Sequence, residues 1–390
     1  MPSKSISASP AVARLLQERR RVLRLTLRAV TAMSAEGGDP IPHSTLARIE
    51  RGTLDPGVRR LQHLLRLYHL PAQAAGDLLD LEALAAAAPS ERDPTKLKDR
   101  AITAWQEGRV ADALACFLAF RARVSATSED RGLRQEAVLS FAVAASSLGK
   151  HHLSRQLLDD LLLDRPEPSL LVALLVQQSV VWLSLGSPEA ALAFVDRAAV
   201  HVRRGADRHR GWIDHQRALV HVQLKNFSDA GRSLDRAVRA FRKARSPRDE
   251  ALVLISRARC AFEQGDGTTA ATAARHAVRF AERNRFARLR LSALLEQSRA
   301  LRLTGGFTES LELLHTILAD SLVAKDNVIR FHAHYNLWKA QLAGPTPARA
   351  DVELREAGYF VRFVDEAGPE ASEVRRHLGP APRKPDRQPS

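Results

Sequence analysis

The sequence predicts an all-α protein, with a small N-terminal domain of short helices followed by a long solenoid of repeated helix pairs. Ala, Leu and Arg, three residues that rank highly in helix propensity, dominate the composition. Alternating β-branched segments, which are typical of strands, are scarce. From residue 101 onward, a pattern of small residue, Gly and small residue recurs at intervals of about 40 residues, as expected for a helical repeat.

The N-terminal segment is predicted to form four short helices. The first is Ala11–Leu25, and the hydroxyl of Thr26 is placed to cap the second. A loop rich in Gly and Pro follows, before a third helix at His43–Glu50. Asp55 and Pro56 are a strong start signal for a fourth helix, because Asp accepts free amide protons and Pro fits the first helical turn. Its apolar positions at helical spacing are Val58, Leu61, Leu64, Leu65 and Tyr68.

Changes in composition divide the chain into five segments. An Ala- and Leu-rich helix is expected at residues 72–88, and the Pro- and charge-rich stretch after it is expected to be a linker. The last segment is rich in Pro, Arg and Lys and is expected to be disordered. The predicted segments are 11–70 (N-terminal domain), 71–95 (connecting helix and linker), 96–345 (solenoid), 346–378 (C-terminal helices) and 379–390 (tail).

The repeat is the most specific signal in the sequence. The intervals between its six units are 41, 37, 39, 40 and 40 residues. Two antiparallel helices pack closely where both side chains are small, and Gly suits the reversal between them. In the fourth unit Lys225 replaces Gly, and the adjacent Asn226 is expected to supply the turn, because Asn tolerates positive φ. The units are Ala101/Gly108/Ala113, Ala142/Gly149/Ser154, Ser179/Gly186/Ala191, Ala218/Lys225/Ala230, Ala258/Gly265/Ala270 and Ser298/Gly305/Ser310.

This repeat resembles the tetratricopeptide repeat (TPR) over about residues 96–320. The usual TPR is ~34 residues long, so the longer period here resembles its extended variants. The Trp and Tyr that are usual near the start of each unit are mostly missing. The segment Phe331–Leu342 lacks the small–Gly–small triplet and is expected to be a capping helix.

The run from Ser44 to Gly52, followed by Pro56, resembles the recognition helix and exit turn of Cro/repressor-type (XRE-like) helix-turn-helix regulators. The resemblance covers about residues 11–70. It implies an all-α fold with an N-terminal helix-turn-helix domain followed by an α-helical TPR-like solenoid. In that family the recognition helix lies in the major groove of DNA. The DNA-binding residues expected here are Thr26, Arg28, His43, Ser44, Thr45, Arg48 and Arg51.

The turn before His43 departs from that family. Ala32–Pro42 carries an insertion of about six residues, including Glu36 and Asp39. Two carboxylates near DNA would repel its phosphates. The loop either projects away from DNA, or the domain keeps the fold without binding DNA.

A solenoid of helix pairs presents a concave groove lined by the first helix of each pair. By analogy with TPR proteins, groove positions lie ten, six and three residues before each turn. The groove residues expected in the basic, C-terminal half are His215, Arg259, Arg299 and Arg302, with His334 and Gln341 if the terminal helix follows the same rule from Gly344. The apolar positions expected in the N-terminal half are Leu139, Val143, Val176, Val180 and Leu183. Such a groove suits a peptide with an apolar segment and a carboxylate, although the Arg residues could equally be solvated or paired within the array.

Composition and charge narrow the function classes. The formal net charge of +15 favours a polyanionic partner, and residues 196–259 alone hold 16 Lys/Arg against 7 Asp/Glu. Cys116 and Cys260 have no partners at zinc-binding spacing, and no metal or cofactor is expected. The absence of a nucleophile–base motif or phosphate loop argues against an enzyme. No apolar signal segment or membrane-length stretch occurs, so a cytoplasmic protein without membrane contact is expected.

Two functions remain open from the sequence. The first is a sequence-specific transcriptional regulator that binds double-stranded DNA, most simply as a homodimer, and binds a peptide or protein in its repeat groove. The second is a TPR interaction scaffold whose helix-turn-helix domain serves docking or dimerisation instead of DNA binding.

Overall fold

The computed structural model describes residues 9–85, 87–127, 130–203, 205–320, 323, 326–344, 347–361, 364 and 368–379. The regular secondary structure of these residues is entirely helical, as the sequence predicts. Beyond Gly379, the predicted disordered tail lies outside the described residues. The chain divides into two compact units, residues 1–182 and 183–390, and the boundary falls near the end of one helix, Pro168–Ser184.

Unit 1 begins with the short helices of the N-terminal segment. The side chains of Ser9 and Thr26 cap the first two helices, each by accepting a backbone N–H three residues later. Asp55 accepts the amide proton of Gly57 at 2.8 Å, but the fourth helix begins one residue later than predicted, at Gly57, with Pro56 as its N-cap and no side-chain cap. The helices of this unit are α1 (Pro10–Val22), α2 (Leu27–Glu36), α3 (His43–Glu50), α4 (Gly57–Leu67), α5 (Ala72–Leu84), α6 (Pro94–Gln106), α7 (Val110–Thr127), α8 (Arg131–Ser147), α9 (His151–Leu163) and α10 (Pro168–Ser184).

Three local expectations for this segment are wrong. Helix α1 ends at Val22 instead of Leu25, because Arg24 takes a left-handed conformation with φ of 56°. Helix α5 ends at Leu84, four residues before the expected end. Val58 is 76% exposed, because it lies in the first turn of α4 and faces away from the core.

Unit 2 continues the helix pairs with a regular period. Helices α12, α14, α16 and α18 begin at residues 207, 247, 287 and 327, so successive starts are 40 residues apart. The first helix of each pair (the A helix) packs on the next A helix, and the second (the B helix) packs on its own A helix and on the next one. The helices are α11 (Pro188–His201), α12 (Asp207–Gln223), α13 (Phe227–Lys243), α14 (Pro247–Glu263), α15 (Gly267–Arg283), α16 (Ala287–Leu303), α17 (Phe307–Ala319), α18 (Asn327–Ala343), α19 (Ala350–Phe360) and α20 (Pro369–Leu378).

The small residues of the six triplets lie on the buried faces of their helices. All twelve are buried, and none is more than 1% exposed. The hydroxyls of Ser154 and Ser310 each donate to a backbone carbonyl of the facing helix, at 2.8 and 3.0 Å. Small side chains therefore permit the close approach that the sequence pattern predicts, and the helix-pair solenoid is confirmed.

The turn of the fourth unit is made differently from the expectation. Lys225 itself takes the left-handed conformation, with φ of 61°, whereas Asn226 has φ of −88°. Gly265 and Gly305 hold the equivalent left-handed positions in the next two units, with φ of 83° and 82°. The turn is therefore set by the position in the repeat and not by the residue type.

Helix α18 contains the segment expected to cap the array, but it does not end it. The helix packs along α19 as the A helix of a further pair, and α20 packs on α19 in turn. The last three helices therefore add one more pair and a terminal helix to unit 2.

Candidate DNA-binding helix and repeat groove

Helix α3 presents a polar face at its N-terminal end. His43, Ser44 and Arg48 are exposed and Thr45 is half-buried, whereas Leu46 and Ile49 on the opposite face are at most 1% exposed. The helix begins after Pro42 and no side chain caps it, so its first backbone N–H groups stay open to a ligand.

The remaining candidates surround this face. Thr26 and Arg28 are exposed at the start of α2, where the Thr26 hydroxyl accepts a hydrogen bond from the Ala29 amide at 3.1 Å. Arg51 is exposed directly after α3, and its Nε donates to the Ala47 carbonyl at 3.0 Å.

A buried ion pair that the sequence did not reveal holds α3 against α1. Glu50, at the end of α3, accepts two hydrogen bonds from Arg20 Nε, at 2.8 and 3.0 Å, and one from Arg20 Nη2 at 2.8 Å. The Tyr68 hydroxyl donates to the same carboxylate at 2.8 Å. The hydrogen bond to Glu50 raises the pKa of Arg20, and burial raises the pKa of Tyr68. These groups orient the helix that carries the exposed face.

The loop between α2 and α3 is tied to the domain. Helix α2 extends to Glu36, so part of the insertion lengthens this helix and the turn itself spans residues 37–42. The Ile41 side chain is fully buried, and its amide donates to the Ser34 hydroxyl at 2.8 Å. Asp39 lies 3.4 Å from Arg59, whereas Glu36 is exposed. One of the two acids expected to repel DNA is therefore partly neutralised by a neighbouring cation.

Helix α1 is joined to repeat helix α9 within unit 1 by a second buried ion pair. Arg19 donates to Asp160, and its Nε donates to the Tyr68 carbonyl at 2.9 Å. Gln156 also donates to Asp160, at 2.9 Å. Burial raises the pKa of Asp160 to about 6 even though Arg19 and Gln156 act in the opposite direction. The N-terminal helices are therefore packed on the repeats.

The apolar groove positions of the first half are partly accessible. Val143 is 40% exposed on α8, whereas Leu139 on the same helix is 8% exposed. Val176 and Val180 on α10 are half-buried. The A helices here offer valine side chains and few charges.

The basic groove positions differ greatly in exposure. His215 on α12 lies 2.8 Å from the Ser256 hydroxyl, and burial lowers its pKa to about 4, so it is neutral at pH 7. Arg259 on α14 is exposed. Arg302 on α16 is half-buried, lies over the Phe262 ring at 6.0 Å, and has a pKa lowered by burial.

Arg299 already has carboxylate partners from its own chain. It is 5% exposed, lies 3.0 Å from Glu296 on the same helix, and donates to Glu370 at the start of α20. Glu370 also lies 2.7 Å from Nδ1 of His332 on α18. Burial opposes the charge of Glu370, but Arg299 and His332 outweigh it and lower its pKa. The terminal helix therefore places a carboxylate at the basic end of the groove.

The 40-residue register moves the last predicted groove positions by one residue. Because α18 starts 40 residues after α16, the equivalents of Leu295 and Arg299 are Tyr335 and Lys339, not His334 and Trp338. Tyr335 and Lys339 contact Glu373 of α20, at 2.6 and 2.7 Å. His334 instead lies 2.7 Å from Glu353 of α19, and Gln341 is 3% exposed. Gly344, from which His334 and Gln341 were counted, has φ of −107° and does not take the left-handed turn conformation of Gly305.

The cysteine thiols and the potential metal-ligating side chains form no further site among the described residues. Cys116 and Cys260 are both buried, and burial raises the pKa of each thiol. In this part of the chain no three His, Cys, Asp or Glu side chains are grouped as metal ligands. None of its helices combines the length and apolar character needed to cross a membrane.

Comparison with known proteins found similar solved structures, all at low sequence identity. No protein-family model matches the sequence, and no curated protein matches it. A tetratricopeptide repeat protein from Parabacteroides merdae is 12% identical, with a TM-score of 0.44 over 72% of this chain and 96% of that one. The Pyrococcus horikoshii protein PH0952, a STAND protein with a tetratricopeptide repeat sensor, is 12% identical, with a TM-score of 0.49 over 94% of this chain and 58% of that one. Bacillus thuringiensis PlcR, solved with the peptide PapR7 and DNA, is 12% identical, with a TM-score of 0.37 over 80% of this chain and all of that one.

Proposed function

We propose that the protein is a sequence-specific DNA-binding transcriptional regulator whose repeat groove binds a peptide or protein partner. The observation that carries the DNA-binding half is the exposed polar face of α3, held in orientation by the buried Glu50–Arg20 pair. A base-reading helix needs exposed donors at its N-terminal end and a rigid attachment to the domain, and α3 has both features.

The residues take different roles in this proposal. Arg48 reads guanine through its two-pronged guanidinium, and Ser44 and Thr45 bond base edges. Arg28 and Arg51 contact phosphates on either side and set the position of the helix on the duplex. In this scheme residues 11–70 are the DNA-binding domain, and a homodimer would place two copies of α3 about one helical turn of DNA apart.

A gel-shift assay tests the proposal, after selection of a bound sequence from a random duplex library. Changing both Ser44→Ala and Arg48→Ala should abolish specific binding, because each good base contact contributes about 1–3 kcal/mol. The matched control is Ser90→Ala with Arg92→Ala, which removes the same two residue types at exposed positions of the linker. Unchanged specific binding by the α3 variant would contradict the proposal.

The groove half of the proposal rests on the basic cluster around Arg299. This guanidinium already holds the carboxylate of Glu370, and that pairing supports a partner that carries a carboxylate. A partner with a carboxylate and apolar side chains would meet Arg299 and Arg259 beside the half-buried rings and valines of the A helices. Isothermal titration with an acidic, apolar peptide library measures this binding. Replacement of Arg259 by Gln should weaken it, because Arg259 is exposed and its charge already acts on the carboxylate of Glu370.

The alternative is an interaction scaffold whose N-terminal helices do not bind DNA. The buried Arg19–Asp160 pair favours it, because it packs α1 on the repeats as a fixed structural element. A scaffold would capture protein partners and show no preference for a selected duplex over an arbitrary one. A preference for the selected duplex that the Ser44→Ala, Arg48→Ala variant loses would exclude this alternative.

A further inference from the structure

The B helices α13 and α15 carry a dense set of arginines that the proposed function does not use. Arg275, Arg279 and Arg283 are exposed and spaced four residues apart, so they form one row along α15. Arg239 on α13 occupies the same place in its unit as Arg279, 40 residues earlier, and is exposed as well. Among the described residues, none of these four has a carboxylate partner.

The turns after these two helices add two more cations at an unfavourable backbone position. Arg245 and Arg285 both take left-handed conformations, with φ of 50° and 57°, and both are exposed. The equivalent position one unit earlier is Gly205, with φ of 82°. A non-glycine residue in this conformation is strained, because its Cβ comes close to the following carbonyl oxygen. Two consecutive units therefore place a positive charge where Gly would fit more easily, and neither arginine forms an ion pair with a described residue.

We call these six arginines the outer basic face; helix α15 contains one carboxylate beside them, the exposed Glu282. Like charges four residues apart destabilise a helix. His276 is half-buried on α15, and its pKa is lowered by burial and by Arg279 and Arg283. The B helices on either side differ, because α11 has one arginine and α17 has none. The charge is therefore concentrated on two neighbouring helices and is not a general property of the array.

We propose that the outer basic face binds the phosphate backbone of double-stranded DNA without reading its sequence. The row from Arg275 to Arg283 spans roughly 12 Å at 1.5 Å per residue, a length over which duplex DNA presents about seven phosphate charges at 1.7 Å each. Arginines held at regular spacing along one helix suit a polyanion whose phosphates are also held at regular spacing, as in duplex DNA. Single-stranded nucleic acid fits less well, because it is bound on exposed aromatic rings, and the nearby Phe280 and Phe286 are half-buried and packed against core residues.

Fluorescence anisotropy with the full-length protein and a labelled duplex of arbitrary sequence tests the proposal over about 50–200 mM salt. The test variant carries Arg275→Gln, Arg279→Gln and Arg283→Gln. Loss of three phosphate contacts should lower the slope of log affinity against log salt by about 2–3 and weaken binding by about tenfold or more at low salt. The matched control carries Arg349→Gln, Arg355→Gln and Arg376→Gln, which removes the same charge at exposed positions elsewhere in unit 2.

Further measurements distinguish this surface from helix α3, and duplex DNA from other polyanions. The Ser44→Ala, Arg48→Ala variant should keep its affinity for arbitrary duplex even if it loses a selected operator, so the two proposals fail independently. An unchanged slope in the α15 variant, or an equal loss in the control, would overturn the assignment. Equal affinity for polyglutamate or for single-stranded DNA would also overturn it, because the surface would then recognise charge without duplex shape.

Discussion

Removal of the Glu50 carboxylate should release helix α3 while leaving its exposed face chemically intact. Glu50→Ala takes away the acceptor of three hydrogen bonds from Arg20 and one from Tyr68. The side chains of Arg20 and Glu50 are only 13% and 3% exposed, so the guanidinium would remain in a mostly dry site with only the Leu25 carbonyl as acceptor. Breaking a buried ion pair in this way costs about 3–5 kcal/mol. Because 1.4 kcal/mol corresponds to a factor of ten, the amides of α3 should exchange about 100-fold to several thousand-fold faster.

Hydrogen–deuterium exchange followed by mass spectrometry measures this on the full chain, peptide by peptide. Tyr68→Phe removes one neutral donor and should accelerate the same amides by only about fivefold, from a loss of about 1 kcal/mol. Glu36→Ala is the matched control, since it removes an exposed carboxylate from α2 and should change stability by less than about 0.5 kcal/mol. If Glu50→Ala accelerated exchange by less than about tenfold, the pair would not be what orients α3.

Three further changes test the packing and the charges. Gly211→Ala should destabilise unit 2 by about 1–3 kcal/mol in thermal unfolding, because its Cβ would lie 2.5 Å from the Phe241 ring. Gly231→Ala is the control, since its Cβ would lie in open space and should stabilise the helix slightly. Equal effects of the two substitutions would contradict this. The pKa of Asp160 is raised to about 6 in the fold, so its ionisation costs stability above that pH. The free energy of unfolding of unit 1 should therefore rise by up to about 3 kcal/mol as the pH falls from 7 to 4. Thermal melts of Asp160→Asn should lack this gain. Glu370 has a lowered pKa, so Glu370→Gln should destabilise unit 2 by about 1–3 kcal/mol at pH 7. This difference should disappear in acid that protonates the wild-type carboxylate. A difference in melting that is as large in acid as at pH 7 would contradict this.

Features governed by local periodicity could be predicted from the sequence. The twelve small residues of the triplets are buried as expected, because helix contact depends on side-chain size at a fixed spacing. The cap at Thr26 also formed, since it involves neighbours in the chain. At the end of the array Gly344 has φ of −107°, whereas Gly305 is left-handed, and the 40-residue period aligns Tyr335 with Leu295.

Long-range charge pairing could not be predicted. Arg20 and Glu50 are 30 residues apart, and Arg299 and Glu370 are 71 apart. A sequence offers many possible partners for each arginine, and only the packed helices decide which carboxylate comes within hydrogen-bond distance. Arg299 illustrates the consequence, since its residue type and its place in the repeat indicated a free groove cation, whereas the terminal helix supplies its partner.

The presence of Glu370 determines what the proposed partner must provide. Since this carboxylate belongs to the same chain, its effective concentration at Arg299 is on the order of millimolar or higher. A free peptide that offered only a carboxylate would therefore compete poorly for Arg299. Burial of an apolar side chain contributes about 1.5–3 kcal/mol, and half-buried Val222 and Phe262 occupy groove positions on the two preceding A helices. A partner that joins a carboxylate at Arg299 to apolar contacts at these positions can displace Glu370, so Glu370→Gln should tighten its binding while destabilising the free protein.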